Sequence, residues 1–166
     1  MLHLVDCSLA NSWSTFLDDA LQQEIFTVDL GFSNYRVCER RDGAEVVTRR
    51  IEITPKLDLP GPAKKIVGSV FRYVETGELR DQVYQFKILK PHGVESGSAT
   101  CHGRMRAESA GDGTRYIIDV SIEIRMPLVG KMLESVAVQA ISDAYGAHAR
   151  ALNRRLHAGR EQRSGS

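Results

Sequence analysis

The stretch that decides the fold is residues 125–152, RMPLVGKMLESVAVQAISDAYGAHARAL. Its apolar residues recur at steps of three and four, which is the spacing of one face of an α-helix. A helix over 128–156 would be about 43 Å long, enough to span a small domain. Such a helix must bury its apolar face against a large partner. The face comprises, on or beside one stripe, Leu128, Met132, Val136, Ala140, Ala144 and Ala151.

Upstream of this helix the hydrophobic period changes from about 3.6 to two, which is typical of strands with one buried face. The clearest case precedes the helix directly: Tyr116, Ile118, Val120, Ile122, Ile124 and Met126 alternate with polar side chains, with Ile117 as the single exception. Earlier alternating runs pair into hairpins, with predicted turns at Asp42–Gly43, near Gly77 and at 111–113. The expected partner of the helix is therefore an antiparallel sheet.

The N-terminal part predicts a short strand at 1–8, followed by helical spacing from Trp13 to Val28. Asp18 and Asp19 are expected to divide this segment into two helices, and Gly31 to end it. The predicted fold class is α+β with a helix-grip arrangement. In it, a curved antiparallel sheet of about six to seven strands wraps around the long C-terminal helix, with one or two short helices near the N-terminus. We predict a single domain over 1–158 and a disordered tail over 159–166.

The overall composition excludes several classes of protein. The 22 Lys and Arg nearly balance 21 Asp and Glu, so we expect no nucleic-acid partner. The three cysteines form no CxxC pair, which fits a reducing compartment. No apolar run approaches the ~20 residues of a membrane-spanning helix, and no secretory signal is visible. A soluble cytoplasmic protein is the expectation, and the oligomeric state is left open.

In element order the chain resembles the START-like superfamily, also called SRPBCC or helix-grip proteins, over roughly residues 1–156. Four stretches resemble a bacterial, mainly actinobacterial, branch described as a domain of unknown function: PKLDLPGPAKKIVG (55–68), YVETGEL (73–79), GDGTRY (111–116) and MPLVGKMLE (126–134). The resemblance implies a cavity between sheet and helix. Many members bind lipids, sterols, polyketides or other apolar molecules there, and others are cyclases, hydroxylase subunits or chaperone cofactors.

The leading hypothesis is a protein that binds or carries an apolar or amphipathic small molecule, lipid-like or polyketide-like, without a cofactor. One alternative is an enzyme of the cyclase or dehydratase type in the same cavity. Another is a protein-interaction module with a filled core. The sequence favours binding over catalysis, and it names no catalytic residue. The candidate cavity residues are Tyr35, Arg49, Ile51, Phe71, Tyr84, Phe86, Met105, Val120, Ile122, Met132, Val136 and Ala140.

Arg49 is in phase with apolar neighbours and is predicted to point inward, where a buried charge needs a partner. We expect either an ion pair with Glu39 or a bulge that returns one of the two residues to water. The sharper hypothesis is that Arg49 receives a ligand carboxylate or phosphate. An enzyme would have to draw on Arg49, Glu39, Tyr84 and His148.

Cys101 and His148 are both predicted on the inward side, where a thiol and an imidazole base can form a nucleophilic pair. The favoured interpretation is instead a small buried hydrophobic residue and a histidine at the edge of the cavity. The histidines and cysteines lack metal-ligand spacing, so no metal site is predicted. No phosphate-binding, dinucleotide-binding or hydrolase motif occurs.

Overall fold

The chain forms a seven-stranded antiparallel sheet, and a long helix follows the last strand, as the sequence predicts. The computed structural model describes residues 1–56, 61, 64, 65, 68, 71–89 and 98–164. The strands are β1 Leu2–Val5, β2 Asn34–Asp42, β3 Val46–Thr54, β4 Tyr73–Arg80, β5 Val83–Leu89, β6 Ala99–Ala110 and β7 Gly113–Ile124. The helices whose bounds lie within the described residues are α1 Leu9–Phe16, α2 Asp19–Glu24, a π-helical turn Ile25–Asp29, and α3 Gly130–Ser164. The strand order is β1-β7-β6-β5-β4-β3-β2.

The predicted division of the N-terminal helix at Asp18 and Asp19 is confirmed. Asp18 is the N-cap of α2, and its carboxylate accepts a hydrogen bond from the Leu21 amide at 3.0 Å. This bond satisfies one of the amides that an α-helix leaves unpaired at its start. The segment ends at Gly31, which has a φ of +69°, as a helix-terminating glycine should.

Two of the three predicted hairpin turns are confirmed. One lies between Asp42 and Val46, and the other between Ala110 and Gly113. The predicted turn at Gly77 is wrong, because Gly77 lies in the middle of β4. The chain turns instead at Asp81 and Gln82, which have φ values of +50° and +61°. Two successive residues with positive φ are what a two-residue hairpin requires, and here neither of them is glycine.

β7 leads directly into α3, as the sequence predicts, but the predicted burial of Leu128 is wrong. Leu128 was placed on the buried face, yet it is fully exposed with a φ of +66°. The chain turns through 127–129, and α3 begins at Gly130. A Cβ at Gly130 would lie 2.3 Å from the Ile124 carbonyl oxygen, so only glycine permits this close approach. At the other end, α3 continues to Ser164 through residues that the sequence assigned to a tail.

Among the described residues, the core is divided into three apolar clusters rather than one continuous layer. The largest joins the second half of α3, around Ala151 and Leu152, to β7 and α1. A second surrounds Tyr35 on β2, and a third surrounds Leu133 at the start of α3. The backbone of α3 approaches β7, β1 and the π-helical turn, and among the described residues it makes no comparably close approach to β3, β4 or β5. The middle turns of α3 therefore stand apart from half of the sheet.

Candidate ligand-binding cavity

We give the name inner cavity to the region between the middle of α3 and the inner face of the sheet, where side chains of both remain half-buried. Its walls are half-buried side chains that belong to none of the three core clusters within the described part of the chain. They are Val136, Ala140 and Ala144 on the helix and Glu75, Ile88, Cys101 and Ile122 on the sheet. A packed core would bury such apolar groups almost completely. Their residual accessibility indicates an opening rather than a filled interior.

The twelve predicted cavity residues divide equally by exposure. Fully buried, and therefore mostly part of the packed core, are Tyr35, Arg49, Ile51, Tyr84, Phe86 and Met105. Half-buried, with surface left for another molecule, are Phe71, Val120, Ile122, Met132, Val136 and Ala140. Tyr35 stacks on Phe26 with ring centroids 4.5 Å apart, which shows how firmly the buried group is packed.

A carboxyl group that the sequence analysis did not single out lies on the inner face. Glu75 is half-buried, and its Oε1 accepts a hydrogen bond from the Tyr84 hydroxyl at 3.0 Å. Tyr84 reaches Glu75 by lying across β4 at Gly77. A Cβ at Gly77 would be 1.7 Å from the Tyr84 hydroxyl oxygen and 2.2 Å from its Cζ. Glycine is therefore required at position 77 in mid-strand, because the Tyr84 phenol occupies the space that a side chain at this position would fill.

The Glu75 carboxyl is surrounded by phenols. Burial raises its pKa, while the Arg49 charge and the Tyr84 hydroxyl act in the opposite direction. Burial also raises the pKa of Tyr73, of Tyr84 and of Tyr145, and the negative charge of Glu75 adds to each rise. Tyr145 belongs to α3, so the electrostatic influence of Glu75 extends to the helix. This environment favours the neutral form of the carboxyl and destabilises its anion.

Arg49 points inward as predicted, but its partner is not Glu39. A bulge between Val37 and Glu39 shifts the phase of β2 by one residue, and Glu39 then pairs with Arg50 at 3.2 Å on the outer face. Arg49 instead donates to Asp19 Oδ1 at 3.3 Å, from α2. Of the two expected outcomes, the bulge is the one observed.

Protein groups hold the guanidinium of Arg49, although its Nε is buried without a hydrogen-bond partner among the described residues. Its guanidinium carbon lies 4.8 Å from the ring centroid of Phe16 and 5.3 Å from that of Tyr84. The side chain is 1% exposed, so it offers no surface to a ligand anion. Stacking on two rings and pairing with Asp19 compensate its burial. The hypothesis of Arg49 as an anion receptor is not supported by this geometry.

The structure does not favour Cys101 as a nucleophile with His148 as its base. Burial raises the pKa of the Cys101 thiol to about 12, and the Glu75 charge adds to the rise. An activated cysteine requires the opposite shift. His148 Nε2 lies 2.6 Å from Gln22 Oε1, and Gln22 Nε2 donates to the Thr15 carbonyl. Since the Gln22 amide is thereby oriented, His148 carries its proton on Nε2 and donates it to Gln22.

The convex side of the sheet carries a separate, open groove of about 560 Å³. Polar and charged outer-face residues line most of it, including Arg50, Lys87 and His102. Apolar small molecules bind in concave sites lined mainly by apolar and aromatic groups. The inner cavity meets that requirement better than this groove does.

The sequence contained a signal for Glu75 that the misplaced turn concealed. Glu75 alternates in phase with Tyr73 and Gly77, so a continuous strand puts all three on one face. A turn predicted at Gly77 interrupted that phase. The role of Gly77 depends on Tyr84 from the next strand, and no local pattern reveals that contact.

Comparison with known proteins gives the same architecture. A family model described as "Protein of unknown function (DUF2505)" matches residues 2–156. Similar solved structures include TTHA0849 from Thermus thermophilus, with a TM-score of 0.68, 15% identity and 96% of each chain covered. A START superfamily protein from Mycobacterium smegmatis has a TM-score of 0.61 and 13% identity over 95% of each chain. At these identities the likeness establishes the fold alone.

A further similar structure is the di-domain ARO/CYC StfQ from the steffimycin biosynthetic pathway. Its TM-score is 0.59 at 11% identity, with 95% of this chain and 45% of that chain covered. No curated protein matches the sequence significantly. Within the described part of the chain, no helix combines the length and the hydrophobicity that crossing a bilayer needs.

Proposed function

This chain belongs to the DUF2505 family and has a START-like fold, and we propose that it binds an amphipathic small molecule in the inner cavity. The observation that carries the proposal is the set of half-buried apolar side chains on the two facing walls, Val136 and Ala140 on α3 and Ile122 on β7. Burying such surfaces against an apolar guest contributes about 25 cal/mol per Å². The Glu75–Tyr84 pair adds a polar end to an otherwise apolar space.

The first test is to identify what the purified protein carries. Native mass spectrometry of the full chain should show an added mass, and extraction with organic solvent should release a molecule with an apolar portion. Apo protein should then bind a fluorescent apolar probe with one site per chain. A chain that carries nothing and binds no such probe would contradict the proposal.

The substitution Ala140→Trp is expected to abolish this binding. Ala140 is half-buried in the middle of the helix, and an indole there would occupy the space proposed for the ligand. We expect probe affinity to fall by about a hundredfold while the far-ultraviolet circular dichroism spectrum stays unchanged. The matched control is Val138→Trp, because Val138 on the same helix is 53% exposed. If both variants lose affinity equally, the ligand does not lie in the inner cavity.

A second candidate function is catalysis in the same cavity, and the observation that favours it is the chemistry of Glu75. A carboxyl with a raised pKa and a hydrogen bond from Tyr84 can act as a general acid. A fold neighbour is described as an ARO/CYC protein of a biosynthetic pathway. Incubating the protein with its bound molecule distinguishes a carrier from an enzyme. Recovery of that molecule unchanged supports a carrier, and conversion that Glu75→Gln abolishes supports an enzyme.

A further inference from the structure

On the inner face of the sheet, one carboxyl forms no ion pair among the described residues. Arg40 pairs with Asp42 at 3.0 Å and with Asp19 at 3.1 Å, and Arg49 pairs with Asp19. These two cations and two anions balance one another. Glu75 forms no ion pair among the described residues, although the Arg49 charge acts to lower its pKa, and its one hydrogen-bond partner among them is the neutral hydroxyl of Tyr84.

The free oxygen of Glu75 is available to a guest. Tyr84 uses Oε1, and Oε2 has no partner among the described residues, although Glu75 is half-buried. A buried carboxylate without a compensating charge is costly, so a ligand that supplies a positive charge recovers part of that cost. A ligand carboxylate or phosphate at the same place would instead be repelled.

Aromatic side chains lie near the same carboxyl. Tyr84 donates a hydrogen bond to Glu75, Tyr73 is two residues away on the same face of β4, and Tyr145 of α3 has its pKa raised by the Glu75 charge. Aromatic faces attract cations through their quadrupole, and cages of aromatic rings recognise ammonium groups in proteins. A carboxylate in such a cage adds full charge complementarity and a hydrogen-bond acceptor for an N–H donor.

We propose that the ligand of the inner cavity is a cationic amphiphile whose protonated amine binds Glu75 Oε2 among Tyr73, Tyr84 and Tyr145, with its apolar portion along Ile122, Val136 and Ala140. This inference rests on the proposed function, since it specifies the chemical class of the molecule in the same cavity. It assigns the amine to Glu75 and leaves Arg49 as a structural cation held by Asp19.

The test uses three probes with one apolar chain and different polar ends: dodecylamine, dodecanol and dodecanoate. Each is titrated, below the concentration at which it forms micelles, into the full chain at neutral pH by displacement of a fluorescent apolar probe. We expect the amine to bind about tenfold more tightly than the alcohol, and the carboxylate to bind most weakly. Equal affinities for amine and carboxylate would overturn the inference.

Glu75→Gln isolates the contribution of the charge, because the glutamine oxygen can still accept the Tyr84 hydrogen bond. Affinity for dodecylamine should fall about tenfold and affinity for dodecanol should stay the same. The matched control is Glu78→Gln, which neutralises an exposed carboxylate of the same strand. It should leave both affinities unchanged.

The outcomes distinguish this inference from the function on which it rests. Binding of the alcohol without any preference for the amine would overturn the cationic ligand and leave the inner cavity as a binding site. An equal loss of amine and alcohol affinity in Glu75→Gln would likewise overturn the role of the charge. If none of the three probes binds, both the proposed function and the inference fail.

Discussion

Gly77→Ala is expected to lower the free energy of unfolding by about 3 kcal/mol or more, an exceptional cost for adding one methyl group. The added Cβ would lie 1.7 Å from the Tyr84 hydroxyl oxygen and 2.2 Å from Cζ, so the ring must leave its place. Tyr84 is 2% exposed, and displacing it also breaks the hydrogen bond to Glu75. Urea unfolding followed by circular dichroism measures the loss.

A double-mutant cycle shows whether the clash with Tyr84 is the cause. In a Tyr84→Leu background the atoms that would collide with the new Cβ are absent, so Gly77→Ala should cost less than about 1 kcal/mol. The three atoms nearest to the new methyl group, all of the Tyr84 phenol, are then gone, and alanine loses less backbone entropy on folding than glycine does. An equal cost of Gly77→Ala in both backgrounds would show that the backbone conformation, and not the phenol, requires glycine at this position.

The second large effect is a loss of stability in acid through His148. Burial lowers the pKa of His148 from 6.5 to about 4, and the nearby His3 contributes to the shift. The unfolded chain therefore takes up the proton first as the pH falls. The stabilisation is fully present above pH 6.5 and is lost between pH 6.5 and about 4. The loss amounts to about 3 kcal/mol for this one residue.

The measurement compares wild type with His148→Gln by urea unfolding at pH 7 and at pH 4. Wild type should lose about 3 kcal/mol more than the variant over this interval, whatever the variant costs at neutral pH. Glu75 acts with the opposite sign, because its raised pKa favours the folded state in acid, but both proteins share it and its contribution cancels. His102→Gln, which removes an exposed histidine of β6, is the matched control. Parallel pH curves for wild type and His148→Gln would contradict the assignment.

Much of the fold follows from local patterns. The period of two in β7 and the period near 3.6 after Gly130 each specify an element and its buried face, because side-chain direction is fixed by backbone geometry. Asp18 marks the start of α2 for an equally local reason, since its own side chain forms the cap. Leu128 departs from the helical pattern because its own positive φ turns it out of phase with the buried face.

The candidate site was less predictable, because its residues meet across strands. The bulge after Val37 moved Glu39 to the outer face, and Asp19 from a distant helix became the partner of Arg49. A one-residue insertion in a strand reverses every later side chain, and nothing in the local alternation identifies it. Half of the predicted cavity residues proved to be fully buried, since a period shows which face a residue is on and not how closely the opposite layer packs.

The sequence by itself determined the element types, their order and the apolar face of the closing helix, because these depend on spacing along the chain. Only the tertiary structure decided what the interior contains. The local sequence around Gly77 is typical of a turn. In the structure, the missing side chain of Gly77 leaves a space that Tyr84 from the next strand fills to reach Glu75. The register of β5 against β4 brings Gly77, Tyr84 and Glu75 together. Register is a property of neighbouring strands rather than of any one segment. That assembly supplies the polar end of the inner cavity.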